Sequence, residues 1–118
     1  MATESGRITS VREPILTIRL ADDMTVECVV DTGFSGALML PREIIDRSSV
    51  PIIGKETFVS GRFIVASLAL VEIDWLGQRR IARAVISDGV DALIGAELLD
   101  GNRLVVDYIL DQVMLTTD

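Results

Sequence analysis

The sequence contains no histidine and a single cysteine, Cys28. Without histidine, the chain cannot use Ser-His or Cys-His nucleophilic catalysis, and it has no histidine ligand for a metal. One cysteine forms neither a disulfide framework nor a cysteine metal site. Any hydrolytic chemistry must therefore rest on carboxylates, Lys55, hydroxyl groups or the lone thiol.

Basic residues are also scarce. The chain has 11 Lys and Arg against 18 Asp and Glu, a formal net charge of −7. Proteins that bind nucleic acid usually present a basic surface, and the one small basic cluster here is Arg79-Arg80 with Arg83. No apolar run approaches the ~18 residues that a membrane span needs. We expect a protein that binds neither nucleic acid nor membrane and that works in the cytoplasm.

The 118 residues, 49% of them hydrophobic, predict a single domain over 1–118, with 1–10 as a tail or as an edge or interface strand. Short Val-, Ile- and Leu-rich segments are broken by Gly or Asp about every ten residues, which predicts an all-β barrel or sandwich. The predicted strands are 15–20, 25–30, 37–40, 56–59, 62–65, 66–75, 80–86, 92–95, 104–108 and 112–116. Helical turns are predicted at 41–47 and 96–99, a loop at 51–54 and a hairpin tip at 60–61.

One carboxylate stands apart from the turn acids. Asp31 follows the apolar residues 28–30 and precedes Thr32-Gly33, and a carboxylate at the end of a buried strand is costly unless it is hydrogen-bonded or functional. Gly33 allows a tight turn that points backbone N–H groups at the carboxylate, and the Thr32 hydroxyl can hold the neighbouring backbone. Gly33 and Gly36 are both able to take left-handed conformations. The plain alternative is an Asx-turn, in which Asp31 only begins a loop.

The segment Val-Val-Asp-Thr-Gly-Phe-Ser at 29–35 resembles the active-site motif of the aspartic proteases. About sixty residues later, 92–99 is similar to that superfamily's second signature, an apolar pair and Gly followed by a short helix with Leu. Between them, the hairpin around Ser60-Gly61 takes the position of the family's flap. In this order and spacing, the chain from Ile15 to Leu115 resembles a retropepsin-like protomer, most of all the small prokaryotic ones.

The resemblance implies a retropepsin-like acid protease barrel with one Asp-Thr-Gly lobe per chain. It implies a homodimer in which the two Asp31 carboxylates meet at the two-fold axis and activate a water that cleaves a peptide or an unfolded protein. No metal or organic cofactor is implied. The catalytic residues it implies are Asp31, Thr32 and Gly33, and the substrate-binding residues are Ser35, Ser60 and Gly61.

The sequence departs from the viral proteases at two positions. Viral enzymes carry Asp two residues after the Gly of the first motif and Arg directly after the Gly of the second, and these two residues pair to brace the dimer. Here Ser35 and Ala96 stand at those positions. No unpaired charge is left, but dimer contacts must be made differently. The segments expected to form the interface sheet are the one before Leu16 and 112–117.

Two other interpretations stay open. The first is a catalytically inactive peptide-binding or dimerisation module with the same fold. The second is an unrelated β-domain in which Asp31 only starts a turn. Of the remaining residues, Cys28 is expected to be a buried, inert thiol, and Trp75 and Phe63 are expected to be core rather than cleft residues.

Overall fold

The computed structural model describes the backbone of residues 1–48, 52–59 and 63–117, and the side chains of these residues except 22, 52–59 and 63–66. Within those ranges the chain is all-β, as predicted, with two short helices. The strands are β1 (Thr3–Ile8), β2 (Pro14–Leu20), β3 (Thr25–Val30), β4 (Leu38–Pro41), β5 (Ile52–Val59), β6 (Phe63–Trp75), β7 (Gln78–Ser87), β8 (Leu93–Ile94), β9 (Arg103–Asp107) and β10 (Gln112–Thr116). The helices are α1 (Arg42–Arg47) and α2 (Ala96–Leu99).

Six of the strands close into a barrel. Strands β6, β7, β4, β8, β3 and β2 are hydrogen-bonded neighbours in that order, and an additional pairing of β2 with β6 closes the ring. The closure is short, with Arg19 opposite Asp74 and Leu20 opposite Ile73. Closing the ring removes the free edges that an open sheet of these strands would present.

The barrel core follows the alternation of the strands. Along β6, the side chains of Ala69, Val71, Ile73 and Trp75 are all buried, and the residues between them are more exposed. A period of two is what a strand with one solvated face requires, and it confirms the expected core position of Trp75. The Trp75 indole N–H also donates to the backbone O of Leu98 at 3.3 Å, which fixes α2 against the barrel.

Three strands extend from β2 in the order β1–β10–β9, and we refer to them as the terminal leaf. Strand β1 runs antiparallel to β10, with Thr3 opposite Thr116, and meets β2 only at Arg7 and Ile8. Strand β9 pairs with β10 and has no second neighbour within the described part of the chain. The leaf therefore joins the two ends of the sequence in one sheet.

Three differences from the sequence prediction change the arrangement of the strands, and the other bounds differ by at most two residues. Within 1–10, predicted as a tail or as an edge or interface strand, β1 lies inside the sheet of one chain, between β10 and β2; a place at a dimer interface stays a prediction. Residues 52–54, predicted as a loop, belong to β5, where a register shift between Ile52 and Gly54 accommodates the glycine. The segments 62–65 and 66–75, predicted as separate strands, lie in one strand, β6 (Phe63–Trp75), which pairs with β5 along its first half and with β7 along its second.

The hairpin of β5 and β6 extends from the barrel. Its two strands pair as far as Val59 opposite Phe63, and the predicted tip, Ser60-Gly61, lies outside the described residues. Neither helix that the structure describes is long and apolar enough to cross a membrane.

Candidate active site

The parallel pairing of β3 with β8 decides where Asp31 lies. Val29 is opposite Leu93 and Val30 is opposite Ile94, so the two strands end side by side. Asp31 is the first residue after β3, and its backbone N–H donates to the Ile94 O at 2.9 Å. The loop that follows β3 and the helix α2 that follows β8 are therefore neighbours.

The Asp31 carboxylate is held at the start of this loop. Its Oδ1 accepts the backbone N–H of Gly33 at 2.9 Å, and its backbone O accepts the N–H of Phe34 at 3.1 Å. The first of these bonds is an Asx-turn, which fixes the direction of the side chain. Asp31 is half-buried, and its second oxygen, Oδ2, makes no hydrogen bond within the described residues.

Gly95 and the start of α2 hold the loop through backbone hydrogen bonds. Three successive N–H groups donate to carbonyl oxygens of the loop. They are Gly95 to Ala37 at 2.9 Å, Ala96 to Phe34 at 2.7 Å and Glu97 to Gly36 at 3.2 Å. The first N–H groups of a helix have no partner inside it, so the loop satisfies them. The Asp31 loop and α2 thus form one backbone-bonded unit, which we call the loop–helix unit.

Position 95 requires glycine because of close approach. An added Cβ would lie 2.1 Å from the backbone O of Gly36 and 2.6 Å from that of Phe34. Both are backbone atoms, so no change of rotamer relieves the overlap. The φ of Gly95 is −105°, which any residue adopts, so backbone strain plays no part. This contact accounts for the glycine of the second sequence signature.

Gly33 and Gly36 also allow other groups of the loop to approach the backbone closely. Neither has a positive φ, so neither uses the left-handed conformation that glycine permits. A Cβ on Gly36 would lie 2.7 Å from Cζ of Phe34, whose ring covers this glycine. A Cβ on Gly33 would lie 3.2 Å from Asp31 Oδ1. Glycine at 33 therefore lets the carboxylate approach the backbone closely. The covering of Gly36 by Phe34 was missed by sequence reasoning, since no local pattern signals it.

The other predicted site residues fall into two groups. Thr32 and Ser35 are exposed on the same loop. The Thr32 hydroxyl makes no hydrogen bond within the part of the chain that the structure describes, so it does not hold the loop backbone inside one chain. Ser60 and Gly61 lie outside the described residues. The structure thus groups four of the six predicted residues on one loop, and their roles stay predictions.

A backbone hydrogen bond lies next to the two positions at which the viral enzymes carry their charged brace. Ala96 stands where those enzymes carry Arg, and its N–H donates to the backbone O of Phe34, the residue before Ser35. Ser35 and Ala96 are both exposed. Neither of the two positions carries a charged side chain in this sequence.

The lone thiol, Cys28, is not available as a nucleophile, and the side chain of Lys55 lies outside the described residues. Cys28 is fully buried, and burial raises the pKa of its thiol to about 12. The thiol is neutral at physiological pH, and only the thiolate is a strong nucleophile, so the expected inert role holds. No group of three His, Cys, Asp or Glu among the described residues is arranged to hold a metal ion.

Comparison with known proteins gives the same picture of the fold. No family model matches the chain. An uncharacterized protein of Archaeoglobus fulgidus is 29% identical over 102 residues, which cover 80% of each chain. Among solved structures, a retropepsin-like aspartic protease from Rickettsia conorii is similar with a TM-score of 0.66 and 14% identity, over 98% of this chain and 89% of that one.

Two viral structures are also similar. The EIAV protease in complex with the inhibitor HBY-793 gives a TM-score of 0.58 and 17% identity over 77% of this chain and 88% of that one. The foamy viral protease-reverse transcriptase in complex with an RNA/DNA hybrid gives 0.55 and 15% over 72% of this chain and 11% of that one. The chain therefore has the retropepsin-like fold. Because a fold hosts many functions, activity has to be argued from the site itself.

Proposed function

We propose that two copies of this chain form an aspartic endopeptidase, in which the paired Asp31 carboxylates activate a water that hydrolyses a peptide bond. The observation that carries the proposal is the burial and hydrogen bonding of the Asp31 carboxylate. In a retropepsin-like fold, it is a half-buried carboxylate with Oδ1 fixed by the Gly33 N–H at 2.9 Å. Its Oδ2 has no partner within the described residues, so this oxygen is available to a water and to a second carboxylate.

The chemistry needs two carboxylates. The ionised one removes a proton from the water as its oxygen attacks the carbonyl carbon, and the protonated one hydrogen-bonds to the carbonyl oxygen. The C–N bond then breaks as the leaving amine takes a proton from the pair. Like charges held a few ångströms apart repel, so in this mechanism one carboxylate of the pair carries a proton while the other is ionised. The sequence holds one Asp-Thr-Gly, so the second carboxylate comes from a two-fold-related copy.

The substrate class that fits this fold is an extended peptide or an unfolded protein. Such a cleft binds a peptide as an added strand, with backbone hydrogen bonds for affinity and pockets for alternate side chains. The hairpin of β5 and β6 would cover the peptide, with Ser60 and Gly61 as proposed contacts, and the exposed Ser35 would contact it beside Asp31. The single, buried Cys28 accords with a cytoplasmic enzyme, since disulfides are rare in that compartment.

The alternative is a peptide-binding or dimerisation module without catalysis. It is favoured by the Asx-turn hydrogen bond to Gly33, which gives Asp31 a structural reason to be there. It is also favoured by the missing charged brace, since Ser35 and Ala96 stand at its two positions. The two functions differ in one measurable respect, since the module binds peptides and leaves them intact.

Cleavage of an unfolded protein substrate between about pH 3.5 and 7 tests the proposal. Asp31→Asn keeps the size of the side chain and an oxygen acceptor for the Gly33 N–H, but it cannot accept a proton from water. We expect it to lower the rate at least about a thousandfold. The matched control is Asp91→Asn, an exposed acid outside the loop, which should leave the rate unchanged.

Equal cleavage by the native chain and by Asp31→Asn would contradict the proposal. A native dimer that binds peptides but cleaves none over this pH range would establish the module instead.

A further inference from the structure

The Phe34 ring lies between two glycines. The side chain is half-buried, although Gly33 and Ser35 on either side of it are exposed. The end of the ring faces Gly36, since a Cβ added there would lie 2.7 Å from Cζ and 3.1 Å from Cε1. The edge of the ring faces Gly95, where an added Cβ would lie 2.6 Å from Cδ2. The ring therefore contacts both the loop and the residue that precedes α2, and it fits there because neither glycine has a side chain.

The backbone of Phe34 joins the same two elements. Its N–H donates to the Asp31 O at 3.1 Å, and its O accepts the N–H of Ala96 at 2.7 Å. The two glycines that the ring contacts make the other two bonds of the loop–helix unit. The ring thus lies against the backbone through which the loop and α2 are bonded. An apolar ring there excludes water, and a hydrogen bond away from water is electrostatically stronger.

We propose that Phe34 is a positioning residue for Asp31. Its ring, packed between Gly36 and Gly95, keeps the Asp31 loop against α2 and thereby fixes the direction of the carboxylate. The consequence for catalysis rests on the proposed function, because a displacement of about 1 Å in a reacting group lowers the rate when two carboxylates must act on one water. The positioning itself is a property of the single chain.

The ring contact lies beside the positions of the missing charged brace. Phe34 directly precedes Ser35, and Gly95 directly precedes Ala96. The loop and the helix therefore meet through an apolar contact and backbone hydrogen bonds, and neither brace position has a charged side chain. An aromatic ring buries a large apolar area while only two side-chain torsions are ordered, which suits a single residue that holds a short loop.

Two substitutions grade the ring contact. Phe34→Leu keeps branches at the position of the Cδ atoms, which face Gly95, and loses the Cε and Cζ atoms, which face Gly36. Phe34→Ala loses both contacts. The matched control is Ile44→Ala in α1, which also truncates a half-buried apolar side chain packed against the core, but outside the loop–helix unit.

Amide hydrogen exchange, followed by NMR on the whole chain, measures the positioning without any substrate. The Gly33 N–H reports on the Asp31 side chain, because it donates to Oδ1 at 2.9 Å. In Phe34→Ala, we expect the Gly33 and Ala96 amides to exchange at least about tenfold faster, and in Phe34→Leu to a smaller extent, while the amides of β2 and β3 keep their rates. Ile44→Ala should leave the Gly33 rate unchanged.

A methyl group added at Gly36 gives a second readout. Gly36 has no positive φ, so alanine adds no backbone strain there. In the native chain the methyl group would displace the end of the ring, so Gly36→Ala should speed the exchange of the Gly33 amide. In Phe34→Leu the end of the ring is absent, so the same methyl group should occupy its space and slow the exchange again. This reversal of sign is expected only if the two groups share one space.

Kinetics and exchange rates together separate this inference from the proposed function. In the protease, Phe34→Ala should lower kcat at least about tenfold and change KM less than about twofold, since only the reacting group is displaced. An unchanged kcat with a raised KM would make Phe34 a peptide contact and overturn the positioning role. Equal acceleration of all amides, or none at Gly33, would overturn it too. Faster Gly33 exchange in a chain that cleaves nothing would support the positioning and count against the protease.

Discussion

Replacing Gly95 with alanine is expected to separate helix α2 from the Asp31 loop. The added Cβ would lie 2.1 Å from the Gly36 O, and Cβ contacts shorter than 3.0 Å essentially do not occur in proteins. The two backbones must therefore move apart by nearly 1 Å. The same movement stretches the three hydrogen bonds of the loop–helix unit, which run from 2.7 to 3.2 Å.

The size of the effect follows from those bonds. Each backbone hydrogen bond contributes about 1 kcal/mol net, so losing three costs about 3 kcal/mol. Alanine also lowers the conformational entropy of the unfolded chain, which stabilises the folded state by about 0.5 kcal/mol. We therefore expect the free energy of unfolding to fall by about 2–3 kcal/mol. The free energy of unfolding of natural domains is about 5–15 kcal/mol, so the variant should still fold.

Urea unfolding followed by tryptophan fluorescence measures this change. The chain has one tryptophan, and the Trp75 indole donates to the Leu98 O in α2, so the probe reports on the element that moves. The matched control is Gly89→Ala. An added Cβ there would lie 3.6 Å from the Ser87 Oγ, an ordinary contact, and it should change the free energy by less than about 0.5 kcal/mol. Equal unfolding midpoints for the two variants would refute the reasoning.

Two further predictions concern buried groups. The pKa of the Cys28 thiol is 9.0 in the unfolded chain, and burial raises it to about 12 in the folded chain. Above about pH 9, ionisation of the thiol therefore stabilises the unfolded state. We expect the free energy of unfolding of the native chain to fall with pH more steeply than that of Cys28→Ala, by about 1.4 kcal/mol per pH unit. Parallel curves from urea titrations at each pH would contradict this. Glu4→Ala should cost about 3 kcal/mol and Glu4→Gln about 1 kcal/mol. Both variants lose the ion pair with Arg19. Only glutamine keeps an oxygen acceptor for the Leu76 N–H, which donates to Glu4 at 2.8 Å in the native chain. Equal losses in urea unfolding would show that this hydrogen bond does not contribute to stability.

The sequence predicts well where the signal is local. The bounds predicted for α2 and for β3 are the bounds found in the structure. In both cases the apolar segment lies within a few residues of the Gly or Asp that ends it, so the signal is local. The position of Asp31 at the end of β3 follows from the same pattern. The buried face of β6 was predicted from alternation alone, since every second residue from Ala69 to Trp75 is apolar.

The prediction fails where distant parts of the chain meet. Residues 1–10 were expected to form a tail or an edge or interface strand, and the pairing of β1 with β10 was not foreseen, because the two strands are more than a hundred residues apart, with Thr3 opposite Thr116. The burial of Glu4 depends on the same long-range pairing, because its partner Leu76 lies in the turn between β6 and β7. Gly95 was predicted as part of a signature, yet its physical reason, a backbone oxygen 2.1 Å from an absent Cβ, exists only in the folded chain.

In the proposed enzyme, each chain positions its own catalytic carboxylate. Asp31 is fixed by Gly33 on one side and, through the loop–helix unit, by α2 on the other. The Trp75 indole in turn holds α2 against the barrel, because it donates to the Leu98 O at 3.3 Å. Each carboxylate would therefore be placed within its own chain before a second copy meets it, without the charged brace of the viral enzymes.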